Sequence, residues 1–124
     1  MTDADKLPKV YQVNWFRKGE DGKFLWPGFG ENSRVLAWII ERVEGRTEAE
    51  ATPIGGRPKE GDLYLEGLDL TDEQVAELFA IDPESWLAEA DLTEEYFSKF
   101  GDKVPAKLRE ELDALRQRLE AAKA

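Results

Sequence analysis

The sequence predicts an α+β protein that is mainly α, with a short N-terminal β-hairpin or strand and an aromatic loop followed by about four helices. Three observations predict this class. The run VYQVNWF (residues 10–16) is rich in β-branched and aromatic residues, which favour strands. The stretch GKFLWPGFGENS (residues 22–33) has the spacing of neither a helix nor a strand, which is typical of a loop. From residue 71 onward, capping residues and prolines mark successive helices.

The N-terminal third predicts a strand, a turn and a helix. Asp21-Gly22 is a turn signal, so residues 24–26 are expected to return as the hairpin partner of residues 10–16. The run NSRVLAWIIERVEG then predicts a helix that Asn32 or Ser33 caps and Gly45 ends. Its apolar face consists of Val35, Leu36, Trp38, Ile39, Ile40 and Val43.

The rest of the chain predicts a connector and a helical tail. Residues 46–70 contain ATPIGGRPKE, an extended connector interrupted by prolines, and DLYLEGL, which predicts one short strand. In residues 71–124, Thr71 and Gln74 form a capping box, Asp82-Pro83 separates two helices, and Pro105 opens the last. The expected core anchors of this tail are Trp86, Leu87, Tyr96, Phe97 and Phe100. The leucine stripe of the last helix is expected to dock on the body of the domain, and consists of Leu108, Leu112, Leu115 and Leu119.

Composition and charge limit the classes of function that the chain can have. The 124 residues amount to one domain, and they include neither cysteine nor histidine, which excludes chemistry that needs either side chain. The net charge is −10, of which residues 47–124 carry −11 and residues 14–46 carry +1. Such an acidic tail would repel a nucleic-acid backbone, so no nucleic-acid partner is expected. With no apolar run of membrane-spanning length and no signal peptide, a cytoplasmic protein without membrane contact is expected.

The aromatic loop has two interpretations. Phe16, Phe24, Trp26 and Phe29 can be core residues, with the neighbouring glycines allowing tight turns. Alternatively, the rings form a slot for a planar base, and stacking of this kind is worth roughly 1–3 kcal/mol per base. In that case Asn32 can read the edge of the base, because its amide NH₂ donates to a carbonyl such as guanine O6 but not to the amino group of adenine.

The residues of this region resemble a known family. The run NWFRKGEDGKFLWPGFGENSRVLAWI is similar to the C-terminal stretch of GTP-dependent phosphoenolpyruvate carboxykinases. The similarity is dense over residues 8–45 and continues more sparsely through TPIG at residues 52–55, Pro58, ELFAI at residues 77–81, and Trp86. The string FLWPGFGEN is specific enough that a chance match is very improbable. The resemblance implies that the chain, residues 1–124, is a C-terminal fragment of a larger nucleotide-binding domain, with Met1 as an added start.

The resemblance also implies a binding site. In that family, phenylalanines at the positions of Phe16, Phe24 and Phe29 line the guanine pocket, and the asparagine at the position of Asn32 bonds the base. The implied guanine site therefore consists of Phe16, Phe24, Phe29, Gly30, Glu31 and Asn32. Trp26 is expected to pack rather than stack, and Asn32 could also serve as a helix cap. The cations Arg17, Lys18 and Arg34 are expected to be solvated or paired rather than phosphate ligands.

The family converts oxaloacetate and GTP to phosphoenolpyruvate, GDP and CO₂, a lyase reaction of gluconeogenesis. That chemistry uses a phosphate loop and a Mn²⁺ ion held by lysine, histidine and aspartate. This sequence has no Gly-x-x-x-x-Gly-Lys-Ser/Thr motif and no histidine, so no catalytic or metal-binding residue is expected here. Two hypotheses follow. The chain is the guanine-recognition part of such an enzyme, inert on its own and completed by the remainder of the parent, or it is a helical interaction module that self-associates through aromatic surface.

Overall fold

The computed structural model describes residues 3–124, and its regular structure is mainly helical. The helices are α1 (Asn32–Val43), α2 (Asp72–Phe79), α3 (Pro83–Ser98) and α4 (Ala106–Lys123), with short 3₁₀ turns at Ala4–Lys6, Phe29–Glu31 and Gly101–Lys103. Two strands, β1 (Ala49–Thr52) and β2 (Gly55–Pro58), pair in one two-stranded sheet. The predicted class, mainly α with about four helices, is therefore confirmed. The chain divides into two compact units, of which the first comprises the described residues up to Glu50 together with Arg57–Phe79, and the second Ala51–Gly56 with Ala80–Ala124.

The strand predicted for residues 10–16 is wrong. Residues 10–14 are irregular, and Trp15 and Phe16 lie in a turn in which the side chain of Asn14 accepts a hydrogen bond from the Phe16 amide at 3.0 Å. The predicted Asp21-Gly22 turn does form. The segments on its two sides are paired by only one antiparallel bridge, between Lys18 and Phe24. A strand exists only by pairing, and within residues 3–124 no second strand lies along residues 10–16. Residue composition alone could not reveal that missing partner.

The connector is also more ordered than predicted, since β1 and β2 form a hairpin within it. The Thr52 hydroxyl donates to the carbonyl of Gly55 at 2.5 Å across the turn. Gly55 has φ +120°, a conformation that side chains rarely adopt. The pair Glu50–Arg57, at 3.2 Å, links the two strands. The short strand predicted in DLYLEGL is absent from the described chain, where residues 62–68 run irregularly and bury Leu63.

The first unit has a compact core around two indoles. Trp26 and Trp38 are each 4% exposed and pack with Leu63. Tyr11 meets the edge of Trp38 with ring centroids 6.2 Å apart. Other partly buried side chains that pack against this core include Trp15, Val35, Ile39, Leu65, Leu68, Leu78 and Phe79. Only part of the apolar face predicted for α1 is therefore covered, because Leu36, Ile40 and Val43 remain half exposed or more.

The helix boundaries follow local sequence signals at α2 and α3. The Thr71 hydroxyl accepts from the Gln74 amide at 3.2 Å, and the Gln74 side chain accepts from the Thr71 amide at 2.9 Å, which is the predicted capping box. Asp82 caps α3 through the amide of Glu84, and Pro83 is its first residue. At α1, by contrast, neither Asn32 nor Ser33 caps the helix, so that prediction is wrong.

The second unit consists mainly of two helices, α3 and α4, which pack on each other, together with Ala51–Gly56. Its buried side chains are Ala90, Leu112 and Leu119. The leucine stripe of α4 therefore packs against α3, and Leu108 lies at the exposed end of the stripe. The aromatic anchors predicted for this region are only partly correct. Leu87 and Phe97 are half buried, whereas Trp86, Tyr96 and Phe100 are exposed. Two helices share a single contact face, so aromatic rings on their other faces remain largely exposed. Tyr96 and Phe100 contact each other edge to face there, with ring centroids 5.2 Å apart.

Candidate functional site

The aromatic loop lies directly before α1 and is held by backbone hydrogen bonds at its base. The Gly19 amide donates to the carbonyl of Lys23 at 2.9 Å, and the Leu25 amide donates to that of Arg17 at 2.8 Å. Gly22, with φ +76°, closes the tight turn between them. These bonds fix the starting point of the segment that follows, in which Leu25 and Trp26 enter the core.

The three phenylalanines of the implied guanine site are exposed. Phe16 is 71% exposed, Phe24 is 58% exposed and Phe29 is 95% exposed. Phe16 and Phe24 meet edge to face with ring centroids 6.0 Å apart and an interplanar angle of 63°. The interpretation of these rings as core residues is therefore wrong for all three. It holds for Trp26, which packs as expected.

Phe29 has an unusual backbone. It opens the 3₁₀ turn Phe29–Glu31 with φ +52°, and it is the only residue other than glycine with positive φ among those the structure describes. A bulky side chain in this left-handed region costs roughly 1–2 kcal/mol. Backbone strain of this kind tends to occur at functional positions. The strain holds a large ring in solvent, where it contributes almost nothing to the core.

Asn32 is joined to the core by its side chain. The Trp26 indole N–H donates to Asn32 Oδ1 at 2.8 Å. The Asn32 backbone amide donates to the carbonyls of Phe29 and Gly30, so both ends of the residue are fixed. Sequence reasoning gave Asn32 two roles, base reader or helix cap, and missed this bond. The sequence alone did not indicate this pairing, because it depends on how the loop folds against the core.

The remaining residues of the implied site lie at the start of α1. Glu31 accepts a hydrogen bond from Arg34 Nε, so its carboxylate is paired. The Gly30 carbonyl accepts from the Ser33 hydroxyl at 2.7 Å. A Cβ at Gly30 would meet no atom of the described chain within 4 Å, so nothing in the local packing accounts for a glycine there.

The cations near the loop are engaged with the protein. Arg34 Nη1 donates to the carbonyls of Tyr64 at 3.0 Å and Glu66 at 2.7 Å, which ties the 62–68 segment to α1. Arg17 Nη1 donates to the carbonyl of Leu78 at 2.9 Å. The Lys18 ammonium lies 5.3 Å from the centroid of the Phe24 ring. Arg34 is thus paired with Glu31 and bonded to two carbonyls, and Arg17 is bonded to a backbone carbonyl.

A second contact reinforces the same segment. The Tyr64 hydroxyl donates to the carboxylate of Glu41 on α1, and this bond raises the pKa of Tyr64 above its ordinary value.

Within residues 3–124, no helix is long and apolar enough to cross a membrane. The same residues contain no group of three or more acidic side chains placed to hold a metal ion.

Comparison with known proteins places the loop and helix in a defined class. The family model described as the phosphoenolpyruvate carboxykinase C-terminal P-loop domain matches residues 1–118. The chain therefore belongs to the phosphoenolpyruvate carboxykinase C-terminal P-loop domain family.

Curated relatives agree with that assignment. A protein of Corynebacterium jeikeium named phosphoenolpyruvate carboxykinase [GTP] is 50% identical over 120 residues, which is 97% of this chain and 20% of the relative. A protein of the same name from Neocallimastix frontalis is 53% identical over 121 residues, with the same shares of the two chains. The chain thus spans about a fifth of the length of the curated relatives it matches.

Proposed function

We propose that this chain is the guanine-recognition part of a GTP-dependent phosphoenolpyruvate carboxykinase. The base would lie against the rings of Phe16, Phe24 and Phe29, with residues 30–32 at its edge. GTP and GDP are the nucleotides of this site, and the remainder of the parent enzyme is its partner. The extent of the recognition segment is residues 8–45, followed by the connector over residues 46–70 and the helical tail over residues 71–124.

The exposure of the three phenylalanines carries this proposal. Rings that pack for stability are buried, yet these three remain 58–95% exposed while Trp26 and Trp38 fill the core beside them. Phe29 in addition has a left-handed backbone conformation, with φ +52°, which is costly for a bulky residue. Gly30 offers open space where a ligand edge could approach the backbone. An aromatic surface next to a fixed amide matches what recognition of a planar base requires.

Catalysis belongs to the rest of the parent. The full reaction, oxaloacetate with GTP to phosphoenolpyruvate, GDP and CO₂, serves gluconeogenesis in the cytoplasm. Its phosphate loop and Mn²⁺ ligands would come from other parts of the longer protein. The 124-residue chain alone is expected to bind the base weakly and to catalyse nothing.

A second candidate function rests on the exposed face of α1. Leu36, Ile40 and Val43 are 51%, 54% and 57% exposed and recur at helical spacing, so they form one apolar strip. Exposed apolar strips of this kind favour association with another helix or with a second copy. On this alternative, the chain is a helical interaction module that self-associates.

One titration separates the two functions. GDP or GTP is expected to quench tryptophan emission, because Trp26 lies beside the site, with a dissociation constant on the order of 1 mM, or about 4 kcal/mol. ATP should quench less at the same concentrations. Sedimentation velocity over a range of protein concentrations is the parallel measurement. Concentration-dependent association with no response to guanine nucleotides would favour the interaction module and contradict the proposal.

A further inference from the structure

We propose that Trp26 is a specificity-determining residue that acts through Asn32, by fixing which branch of the Asn32 amide is offered to the base. The inference rests on the proposed function, since it concerns how the same site distinguishes guanine from adenine. It depends on the hydrogen bond from the Trp26 indole to Asn32 Oδ1, at 2.8 Å.

An asparagine side chain cannot discriminate purines unless its orientation is fixed. The amide carries a carbonyl acceptor and an NH₂ donor of nearly the same shape. Guanine presents an acceptor, O6, where adenine presents the N6 amino donor. An amide that is free to turn can therefore satisfy either base by exchanging its two branches.

The indole removes that freedom. Trp26 Nε1–H can only donate, so the branch of Asn32 that faces it must be the carbonyl oxygen. This leaves Nδ2 as the branch turned away from the indole, where it donates to guanine O6 and opposes the amino group of adenine. Trp26 is 4% exposed and packed with Trp38 and Leu63, so its own position is fixed by the core.

Burial of the indole does not by itself require this bond. Trp38 lies in the same core with the same 4% exposure, and its Nε1 has no hydrogen-bond partner among the described residues. The core therefore tolerates an unpaired indole N–H. Trp38 is also a matched control, because Trp38→Phe removes the same indole atoms as Trp26→Phe without touching Asn32.

The affinities of GDP and ADP are to be measured for the 124-residue chain by backbone amide shifts in nitrogen-15 spectra. Trp26→Phe should lower the ratio of GDP to ADP affinity by about 3- to 10-fold, the range for loss of one oriented hydrogen bond. Trp38→Phe should leave the ratio unchanged. In an Asn32→Ala background, Trp26→Phe should have no further effect on the ratio, because its action passes through Asn32.

A second variant tests the idea without disturbing the core. Asn32→Asp keeps an acceptor for the indole but lacks the NH₂ donor. It should therefore preserve the slow solvent exchange of the Trp26 indole proton while losing the guanine preference. Asn32→Ala should accelerate that exchange and leave the Trp38 indole proton unaffected.

Three results would overturn the inference. They are an unchanged ratio in Trp26→Phe, an equal fall in Trp38→Phe, or a Trp26 indole proton that exchanges no faster in Asn32→Ala. A wild-type chain with a protected Trp26 indole but no preference for GDP would instead contradict the guanine site itself, and the specificity role would fail with it. The two failures are thus distinguishable.

Discussion

Replacing Phe29 by glycine should weaken guanine binding without destabilising the chain. The ring is 95% exposed, so it buries about 10 Å² and its loss should cost only about 0.3 kcal/mol. The backbone has φ +52°, and glycine relieves a cost of about 1–2 kcal/mol there. Glycine also has greater conformational freedom in the unfolded chain, which lowers the free energy of unfolding by about 0.4–1 kcal/mol. The net expectation lies between no change and a gain of about 1 kcal/mol, or up to about 4 °C in Tm.

Binding should respond in the opposite direction. Loss of one stacking ring is expected to cost about 1–3 kcal/mol, a 5- to 150-fold weaker affinity for GDP. Urea unfolding followed by circular dichroism gives the stability, and tryptophan quenching gives the affinity. Phe29→Ala is the matched comparison, because it removes the ring but retains a side chain on the strained backbone. It should bind as weakly as Phe29→Gly and be less stable than it.

Val10, which is 91% exposed and lies outside the proposed site, supplies the control. Val10→Ala should change neither stability nor affinity. Two outcomes would refute the reasoning about Phe29. Destabilisation by about 3 kcal/mol or more in Phe29→Ala would show a packed ring, since core phenylalanines cost that much. Unchanged GDP affinity in both variants would remove Phe29 from the site.

Three further predictions concern other parts of the chain. Arg34→Met should lower the free energy of unfolding in urea by about 1.5–3 kcal/mol, because the guanidinium bonds two carbonyls of the 62–68 segment. Asp82 has a lowered pKa because its carboxylate bonds the Ser85 hydroxyl and the Glu84 amide. The stability that this carboxylate contributes is present above the ordinary aspartate pKa of about 4, and it is lost as the pH falls through the lower pKa of the folded state. Asp82→Asn should therefore make Tm depend less steeply on pH in the acid range. Guanosine should bind this chain at least as well as GTP, because the net charge of −10 repels a triphosphate. Added salt screens this repulsion and should therefore reduce the difference between the affinities of guanosine and GTP.

The helices could be predicted from the sequence because their signals are local. The Thr71–Gln74 box and the helix break at Asp82-Pro83 each involve residues within three positions of one another, and both form as expected, with Asp82 serving in addition as the cap of α3. The strand at residues 10–16 could not be judged in that way. Its residues favour extended structure, but the partner that would complete a ladder must come from elsewhere in a chain, and composition carries no information about it.

The hairpin of β1 and β2 was missed for the converse reason. Its prolines and glycines suggested a connector, although a turn at residues 53 and 54 with a glycine directly after it is compatible with a tight hairpin. At the candidate site, the FLWPGFGEN string located the loop through resemblance. It did not reveal that Phe29 would be strained, or that Trp26 would hold Asn32. Both features arise from the fold of the loop against the core rather than from the identity of any one residue.

The division between tryptophans and phenylalanines in this region argues for a ligand rather than for packing. All of them are large apolar side chains within residues 15–38, and a chain selected only for stability would bury whichever rings fit. Here Trp26 and Trp38 fill the core, while Phe16, Phe24 and Phe29 remain in solvent. Water disfavours exposed rings, and the left-handed backbone at Phe29 adds a further cost. On the proposed function, rings that are already exposed in the free chain would need no rearrangement to meet a base, so binding would cost less free energy in ordering the site.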